Sequence, residues 1–541
     1  MPDKANGGTL ARELGVFGAT IMGLGAMVGT GVFVSIGVSA GVAGPSVVLA
    51  IALAALVATC NALSSAQLAA SMPVSGGTYE YGYAYLNPWL GFTAGWMFLC
   101  AKIASAATAA LGFAGYLLQA LRIEGFVVPV AVAAAAALTG IVLAGIRQSN
   151  RANIVIVSIT IFALTFFVIA GSLTVSFAGS QPWHPFFQPS ADNGSGPAAA
   201  LFHATALMFV AFTGYARIAT LGEEVREPRK TIPRAIVFTL LLSGVLYVAV
   251  GAVGISTIGP EAMAGAAQTE IAPLEVAART FGIPGAAWII SLGAVTAMLG
   301  VLLNLLLGLS RMLLAMGRRR DMPGLFARVT PSGSPTAAVI AIGVAIGALA
   351  MLSDVKTTWA FSAFTVLIYY AITNLAALRL PRDKRLYSPL IAWSGLAACL
   401  FLAFWVERQI WLIGLGLIVA GLIWHAVASR ILRASAPAHR RESVVGHGIQ
   451  HSPITAFVRI PARGRKLMCL FTKQCLALIA KTSEGSSINL PNTRTSELIV
   501  AAMGAGRYAD PTLDDLAVEF EDKTLAKASK AHQVEPCGLC G

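Results

Sequence analysis

Residues Gly25–Gly31 read G-A-M-V-G-T-G, in the middle of an apolar run that extends from Leu14 to Val38. The run is long enough to cross a bilayer, because a helix rises about 1.5 Å per residue and the hydrocarbon core is about 30 Å thick. Its middle is poorly suited to a continuous helix. Glycines stand at 23, 25, 29 and 31, and each weakens a helix by about 1 kcal/mol relative to alanine. A helix that opens there frees N–H and C=O groups that lipid cannot satisfy. A carboxylate suits the freed N–H groups and the positive end of the following half-helix, with Thr30 adding a hydroxyl. The freed carbonyl of Met27 suits an ammonium. Glycine at this spacing also serves close helix packing, so the break needs a second indication.

A second break supplies it. Residues Phe209–Tyr215 read F-V-A-F-T-G-Y inside another apolar span. Spans assigned by hydropathy cover 14–38, 45–70, 90–120, 126–146, 152–175, 198–221, 235–257, 284–317, 336–353, 358–379, 388–406 and 409–433, about twelve in all. The two breaks therefore fall in spans one and six. Interrupted segments at matching positions of two halves point to an inverted-repeat transporter with its site near the bilayer midplane. The expected fold is an all-α polytopic membrane protein of about 12 transmembrane helices, with helices 1 and 6 broken. Residues 1–433 form the membrane domain, and the more polar 434–541 form a cytoplasmic tail of unassigned function.

Composition agrees. The chain has 541 residues, of which 56% are hydrophobic and 12% charged, and its mean hydropathy is +0.74. Soluble domains carry about 25% charged residues. The net charge of +13 would suit nucleic acid, but its distribution is that of a membrane topology. Alternate loops hold most of the basic residues, among them Arg226, Arg229, Lys230 and Arg234. The opposite loops hold only Arg122, Arg279, Lys356 and Arg408. The positive-inside rule puts both termini in the cytoplasm. The first span is too long and glycine-rich for a cleavable signal peptide. Cys60, Cys100 and Cys399 lie in apolar spans and read as free packing thiols. The tail pair Cys537 and Cys540 has no second pair, so no metal site is assigned. No phosphate-binding G-x-x-x-x-G-K-[ST] loop occurs, and no enzymatic constellation, cofactor motif or nucleic-acid surface is expected.

Four segments give the chain a resemblance. They are Met22–Phe33; Met72–Tyr81, M-P-V-S-G-G-T-Y-E-Y; Phe212–Ile236, which contains G-E-E-V-R-E-P-R-K; and Asn304–Pro323. In this order the chain resembles the amino acid–polyamine–organocation superfamily of permeases, close to its cationic-amino-acid-transporter-like bacterial branch, over about residues 10–433. The resemblance implies a 5+5 inverted repeat followed by two further helices, and it implies that Gly29, Thr30 and Gly31 bind a substrate carboxylate. It implies that carbonyls of Met27, Val210 and Thr213 take the amine, and that Phe209 or Phe212 covers the substrate. Glu223 and Glu224 then belong to an inner gate with nearby arginines.

The chain departs from the family pattern at three positions. Thr160 stands where many proton-coupled relatives carry a lysine in the fifth helix. Ala216 and Arg217 follow the sixth break, where an acidic residue is common. Ala101 aligns with a third-helix glutamate of cationic transporters, and Lys102 is next. A lysine this deep in a span costs about 2.5–3.5 kcal/mol on insertion scales, which marks Lys102 as a coupling or charge-compensating residue; the bland alternative is a structural ion pair. Ser158 and Thr160 are further coupling candidates, although such hydroxyls often bond back to their own helix. Arg217 reads as a structural partner of Glu223 or Glu224.

The expected function is secondary transport of an amino acid across the plasma membrane by alternating access, proton-coupled or by exchange, with a neutral substrate favoured. Cationic amino acid or polyamine transport is the second reading. A non-transporting amino-acid sensor that signals through the tail is the third. The expected partners are the amino acid, H+ and the lipid bilayer.

Overall fold

A computed structural model describes residues 14–74, 76–144, 150–175, 183–187, 196–220, 225–269, 271–330 and 335–434. The tail expected over 434–541 lies outside the described residues, apart from Ala434 at the end of a helix. Among the described residues the only β pairing is the single bridge between Leu14 and Val225. The rest of the regular structure is helical.

The first passage consists of α1 (Val16–Met27), a widened π-type turn at Gly31–Ser35, and α2 (Ile36–Ala43). The next helices are α3 (Val47–Ser71), the short α4 (Thr78–Tyr85), α5 (Pro88–Leu121), α6 (Val127–Leu143) and α7 (Asn150–Val175). The sixth passage is broken like the first, into α8 (Pro197–Ala211), a 3-10 turn at Thr213–Tyr215, and α9 (Ala216–Thr220). Then come α10 (Pro228–Thr269), α11 (Pro273–Arg279), α12 (Ala286–Arg318), α13 (Thr336–Leu352), α14 (Val355–Leu378), α15 (Pro389–Ala403) and α16 (Arg408–Ala434). With each broken helix counted as one passage, and α4 and α11 set aside as short connecting helices, these make the twelve passages that hydropathy expects. Inside α10 the backbone leaves helical geometry at Gly259, where φ is 79°, just before Pro260. The spanning part of that passage therefore ends there.

Local chemistry sets the ends. Pro88, Pro197, Pro273 and Pro389 each stand in the first turn of a helix, where the missing N–H has no helical acceptor in any case. Asn87 accepts a hydrogen bond from the Leu90 amide at 2.8 Å, and Asp354 accepts one from Thr357 at 2.7 Å. Such caps satisfy donors that the first turn leaves free.

The distribution of side chains is that of a protein dissolved in lipid. Phe162, Leu241, Val245 and Val344 are exposed on outward helix faces, whereas Asn61, Thr108, Ser362 and Asn374 are buried between helices. Buried polar groups join the passages. Asn374 donates to Asn61, Ser105 and Ser362 share a hydrogen bond of 2.7 Å, and Thr108 donates to Thr358 at 2.8 Å.

Packing repeats with a period of five passages. The second passage packs on the seventh (α3 on α10), the third on the eighth (α5 on α12), and the fourth on the ninth (α6 on α13); the broken first packs on the broken sixth. The cross-contacts repeat too, since α5 packs on α14 as α12 packs on α7. Successive passages joined by short loops alternate in direction, so elements five apart run oppositely. The packing is therefore that of two inverted halves, followed by α15 and α16.

Candidate functional site

The two breaks meet. α1 stops at Met27, and Val28 turns extended with φ −82° and ψ 100°. Gly29 O then accepts from Val32 N at 3.1 Å and Phe33 N at 3.2 Å as the second half-helix starts. A Cβ on Gly31 would lie 2.4 Å from Ala211 Cβ and 2.7 Å from its Cα. A Cβ on Gly214 would lie 2.5 Å from the carbonyl oxygen of Ala26. Both contacts involve backbone or short side chains that cannot step aside, so these glycines permit the crossing of the broken helices.

At the crossing lies a cavity of about 40 Å³. A water needs about 10–15 Å³ on the same measure. Met27, Thr30 and Gly31 line it from the first passage, and Val210, Ala211, Thr213 and Gly214 from the sixth. Lys102 and Ser105 enter from α5, Val301 and Leu305 from α12, and Trp359 from α14. Thr30 is 4% exposed, and its hydroxyl has no hydrogen-bond partner. Lys102 is 7% exposed, and its Nζ donates to Thr213 Oγ1 at 2.7 Å. The Thr213 hydroxyl donates in turn to Val210 O at 2.8 Å.

Side chains of unbroken helices hold the freed carbonyls. Tyr247 OH of α10 donates to Met27 O at 2.8 Å, and Tyr370 OH of α14 to Thr213 O at 3.3 Å. Tyr116 OH of α5 donates to Phe33 O at 2.6 Å and accepts from Leu274 N at 3.2 Å. The indole N–H of Trp359 donates to Leu207 O at 2.9 Å. Freed backbone groups inside a membrane protein need partners of this kind.

Of the residues singled out in the sequence, Met27, Thr30, Gly31, Val210, Thr213 and Lys102 come together around the cavity. Gly29 stands beside it, where a Cβ would lie 2.6 Å from Val301 Cγ2. Phe209 and Phe212 are buried but do not line the cavity. Phe209 packs edge-on against Tyr370 with centroids 5.6 Å apart, and Phe212 against Tyr247 at 5.1 Å. Trp359 is the aromatic residue that lines the cavity. The Thr160 hydroxyl donates to Ile156 O of its own helix at 2.8 Å. Ser158 lies on an exposed face of α7, so the structure brings neither to the cavity. Arg217 is half-buried in α9; Glu223 and Glu224 lie outside the described residues. Sequence reasoning missed Trp359, Ser105 and the three tyrosines, because nothing local marks which face of an unbroken helix meets a distant break.

A second polar cluster sits at helix ends, between α4 and the C-terminal end of α12. Tyr79 and Tyr83 of α4 both donate to Asp321 Oδ2, at 2.7 and 2.5 Å, and Asp321 is fully buried. Glu80 pairs with Arg319, whose guanidinium lies 4.2 Å from the Tyr83 ring centroid. Burial pushes the Glu80 carboxyl above its ordinary value, and Arg319 opposes that shift. His425 of α16 stacks on Phe92, with Nδ1 3.6 Å from Asp321 Oδ1. The cluster thus joins α4, the segment after α12, and α16.

Residues 18–430 match the family model described as "Amino acid permease". The chain is 41% identical over 397 residues to an uncharacterized transporter of Mycobacterium tuberculosis, covering 73% of this chain and 86% of that one. It is 32% identical over 449 residues to the branched-chain amino acid permease BcaP of Bacillus subtilis, covering 76% and 92%. It is 29% identical over 411 residues to the vacuolar cationic amino acid transporter 2 of Arabidopsis thaliana, covering 71% and 63%.

Proposed function

The chain belongs to the amino acid permease family, and from that premise we propose that it carries one amino acid at a time across the plasma membrane by alternating access. The broken passages and their neighbours α3 and α10 rock against α5, α7, α12 and α14. Both termini face the cytoplasm, in keeping with the basic loops.

One observation carries the proposal. The partnerless Thr30 hydroxyl, the opened turn of the sixth passage and the buried Lys102 line a single cavity. The carboxylate of the substrate bonds Thr30 and the amides that open the second half-helix, where the dipole favours negative charge. Val301, Leu305 and Trp359 give the cavity an apolar wall for the side chain. A neutral substrate is favoured because Lys102 repels a cationic one. The branched-chain name of the Bacillus relative supports the same choice.

Lys102 is the coupling residue in this reading, with proton symport or exchange setting direction. The test is uptake by the full-length protein in proteoliposomes, competed by amino acids and polyamines at two pH values. Neutral amino acids compete best, and Lys102→Ala alters the pH profile. Strongest competition by cationic amino acids would overturn the substrate assignment. A wild-type pH profile in Lys102→Ala would remove Lys102 from coupling.

A further inference from the structure

We propose that a large cavity on the membrane face opposite the basic loops binds the headgroup of an aminophospholipid, a phosphate and a primary ammonium on one short chain, which enters from the lipid.

The cavity measures about 870 Å³, against about 40 Å³ at the crossing of the broken helices. It shares no lining residue with that crossing. It lies between the end of α5, the start of α6, α11 and the start of α12. Pockets for organic ligands hold about 300–1,000 Å³, so a headgroup with its glycerol fits.

Three features of the lining select the ligand. The first is charge of both signs. Arg122 and Arg279 line the cavity, and so do Glu124 and Glu275. A guanidinium matches a phosphate through two parallel N–H bonds, and a carboxylate accepts from an ammonium. Glu275 is buried and pairs with Arg279 at 2.9 Å. Arg122 and Glu124 are exposed and take part in none of the ion pairs among the described residues. The second feature is Ser291, which lines the cavity, is 3% exposed and has a hydroxyl without a partner. Hydroxyls inside spanning helices often bond back to their own helix, as Thr296 does to Leu292 O at 2.8 Å. A donor left over in the wall suits a phosphate oxygen. The third feature is the mouth. Ile123, Ile283 and Trp288 line the cavity and are themselves exposed. Trp288 stands one turn before Leu292, which is exposed on the same face of α12, and tryptophan at the end of a span marks the membrane interface. The mouth therefore continues into the surface that acyl chains cover. A soluble zwitterion would leave those apolar side chains in water.

The position also carries a consequence. Leu274, beside Glu275, donates its N–H to Tyr116 OH, which donates to Phe33 O in the opened first passage. A headgroup held by α11 steadies that passage through Tyr116.

The test compares phosphatidylethanolamine, phosphatidylcholine and phosphatidylglycerol with identical acyl chains, each added to the purified full-length protein in detergent. Lipid retention is read by native mass spectrometry and stability by the thermal midpoint. Phosphatidylcholine keeps the phosphate but has no N–H on its ammonium, and phosphatidylglycerol has no ammonium. Phosphatidylethanolamine is retained best and raises the midpoint most. Arg122→Gln and Ser291→Ala each weaken its retention about tenfold, the loss expected for one charge-assisted hydrogen bond. Glu124→Gln removes the preference over phosphatidylglycerol. Arg122 and Glu124 are exposed, so these two variants fold and decide the matter should Ser291→Ala fail to. Equal retention of the three lipids, or a preference unmoved by both rim variants, overturns the inference. Soluble phosphoethanolamine that stabilises the protein as well as the lipid does would place the source in solution and overturn the lipid assignment. Stabilisation by leucine that is lost in Arg122→Gln would make the cavity an amino acid site and overturn it as well.

Discussion

Replacing Thr30 by valine separates a binding role from a packing role, because the two predict opposite changes in stability. Valine has nearly the same shape as threonine, so the crossing of the broken passages is preserved. The Thr30 hydroxyl is buried and has no partner. Such a group costs about 1–3 kcal/mol, and a methyl in its place removes that cost. The ligand-free variant is therefore more stable than the wild type, with a higher thermal midpoint in detergent. Binding changes the other way. A hydrogen bond to a charged group contributes about 1.5–3 kcal/mol, and at about 1.4 kcal/mol per tenfold its loss weakens the substrate roughly 10- to 150-fold. The assay is a thermal melt without ligand beside the KM for uptake in proteoliposomes. An unchanged KM would refute the placing of the carboxylate on Thr30. A lower midpoint would refute the premise that the hydroxyl has no partner.

Gly31→Ala places a methyl against Ala211, and overpacking of this kind costs about 1–3 kcal/mol. Its midpoint and uptake fall together, and adding Ala211→Gly recovers part of each, since the contact with the Ala211 Cα at 2.7 Å remains; a double variant no better than the single one would contradict the contact with the methyl. At the helix-end cluster, Glu80→Gln changes stability by less than about 1 kcal/mol, since desolvation largely offsets its ion pair. Arg319→Gln costs about 1–3 kcal/mol, because it strands Glu80 and removes a cation from two tyrosine rings; equal costs in chemical denaturation would count against this asymmetry. The raised Glu80 carboxyl gives a sign as well. The folded state binds that proton more tightly, so the contribution of Glu80 to stability grows as pH falls through the carboxylate range and is lost as pH rises, a trend that Glu80→Gln abolishes. Tyr370→Phe, which cuts a bond between the proposed scaffold and the sixth passage, shifts the balance of inward- and outward-accessible states measured by cysteine labelling. Tyr247→Phe, which cuts a bond between two passages that move together, lowers the midpoint without that shift; the same shift in both would contradict the division of the bundle.

Lipid made the helices easy to read. A span must stay apolar for about 20 residues, and α5, read as 90–120, runs from Pro88 to Leu121. The breaks were legible because glycine and threonine inside such a span conflict with its demands, and Lys102 because a charge there is rare. Phe209 and Phe212 show where the reading stopped. Position next to a break told that they lie near the cavity, but their rings turn toward Tyr370 and Tyr247, and Trp359, from far along the chain, takes the wall. Helical periodicity gives the faces of one helix; it does not say which distant helix each face meets.

The tyrosines explain why a broken helix persists in a membrane protein at all. If the freed carbonyls of Met27, Phe33 and Thr213 depended on substrate alone, each empty cycle would leave them unsatisfied, and the empty carrier would close the breaks or fill them with water. Tyr247, Tyr116 and Tyr370 remove that dependence. The opened backbone is held whether or not a ligand is bound, so binding energy is not spent on opening it. What the tyrosines leave unsatisfied is the Thr30 hydroxyl, and the ion pairs among the described residues do not engage Lys102. In the proposed reading recognition then falls on those two groups, one hydrogen-bonding and one cationic, and a carboxylate answers both.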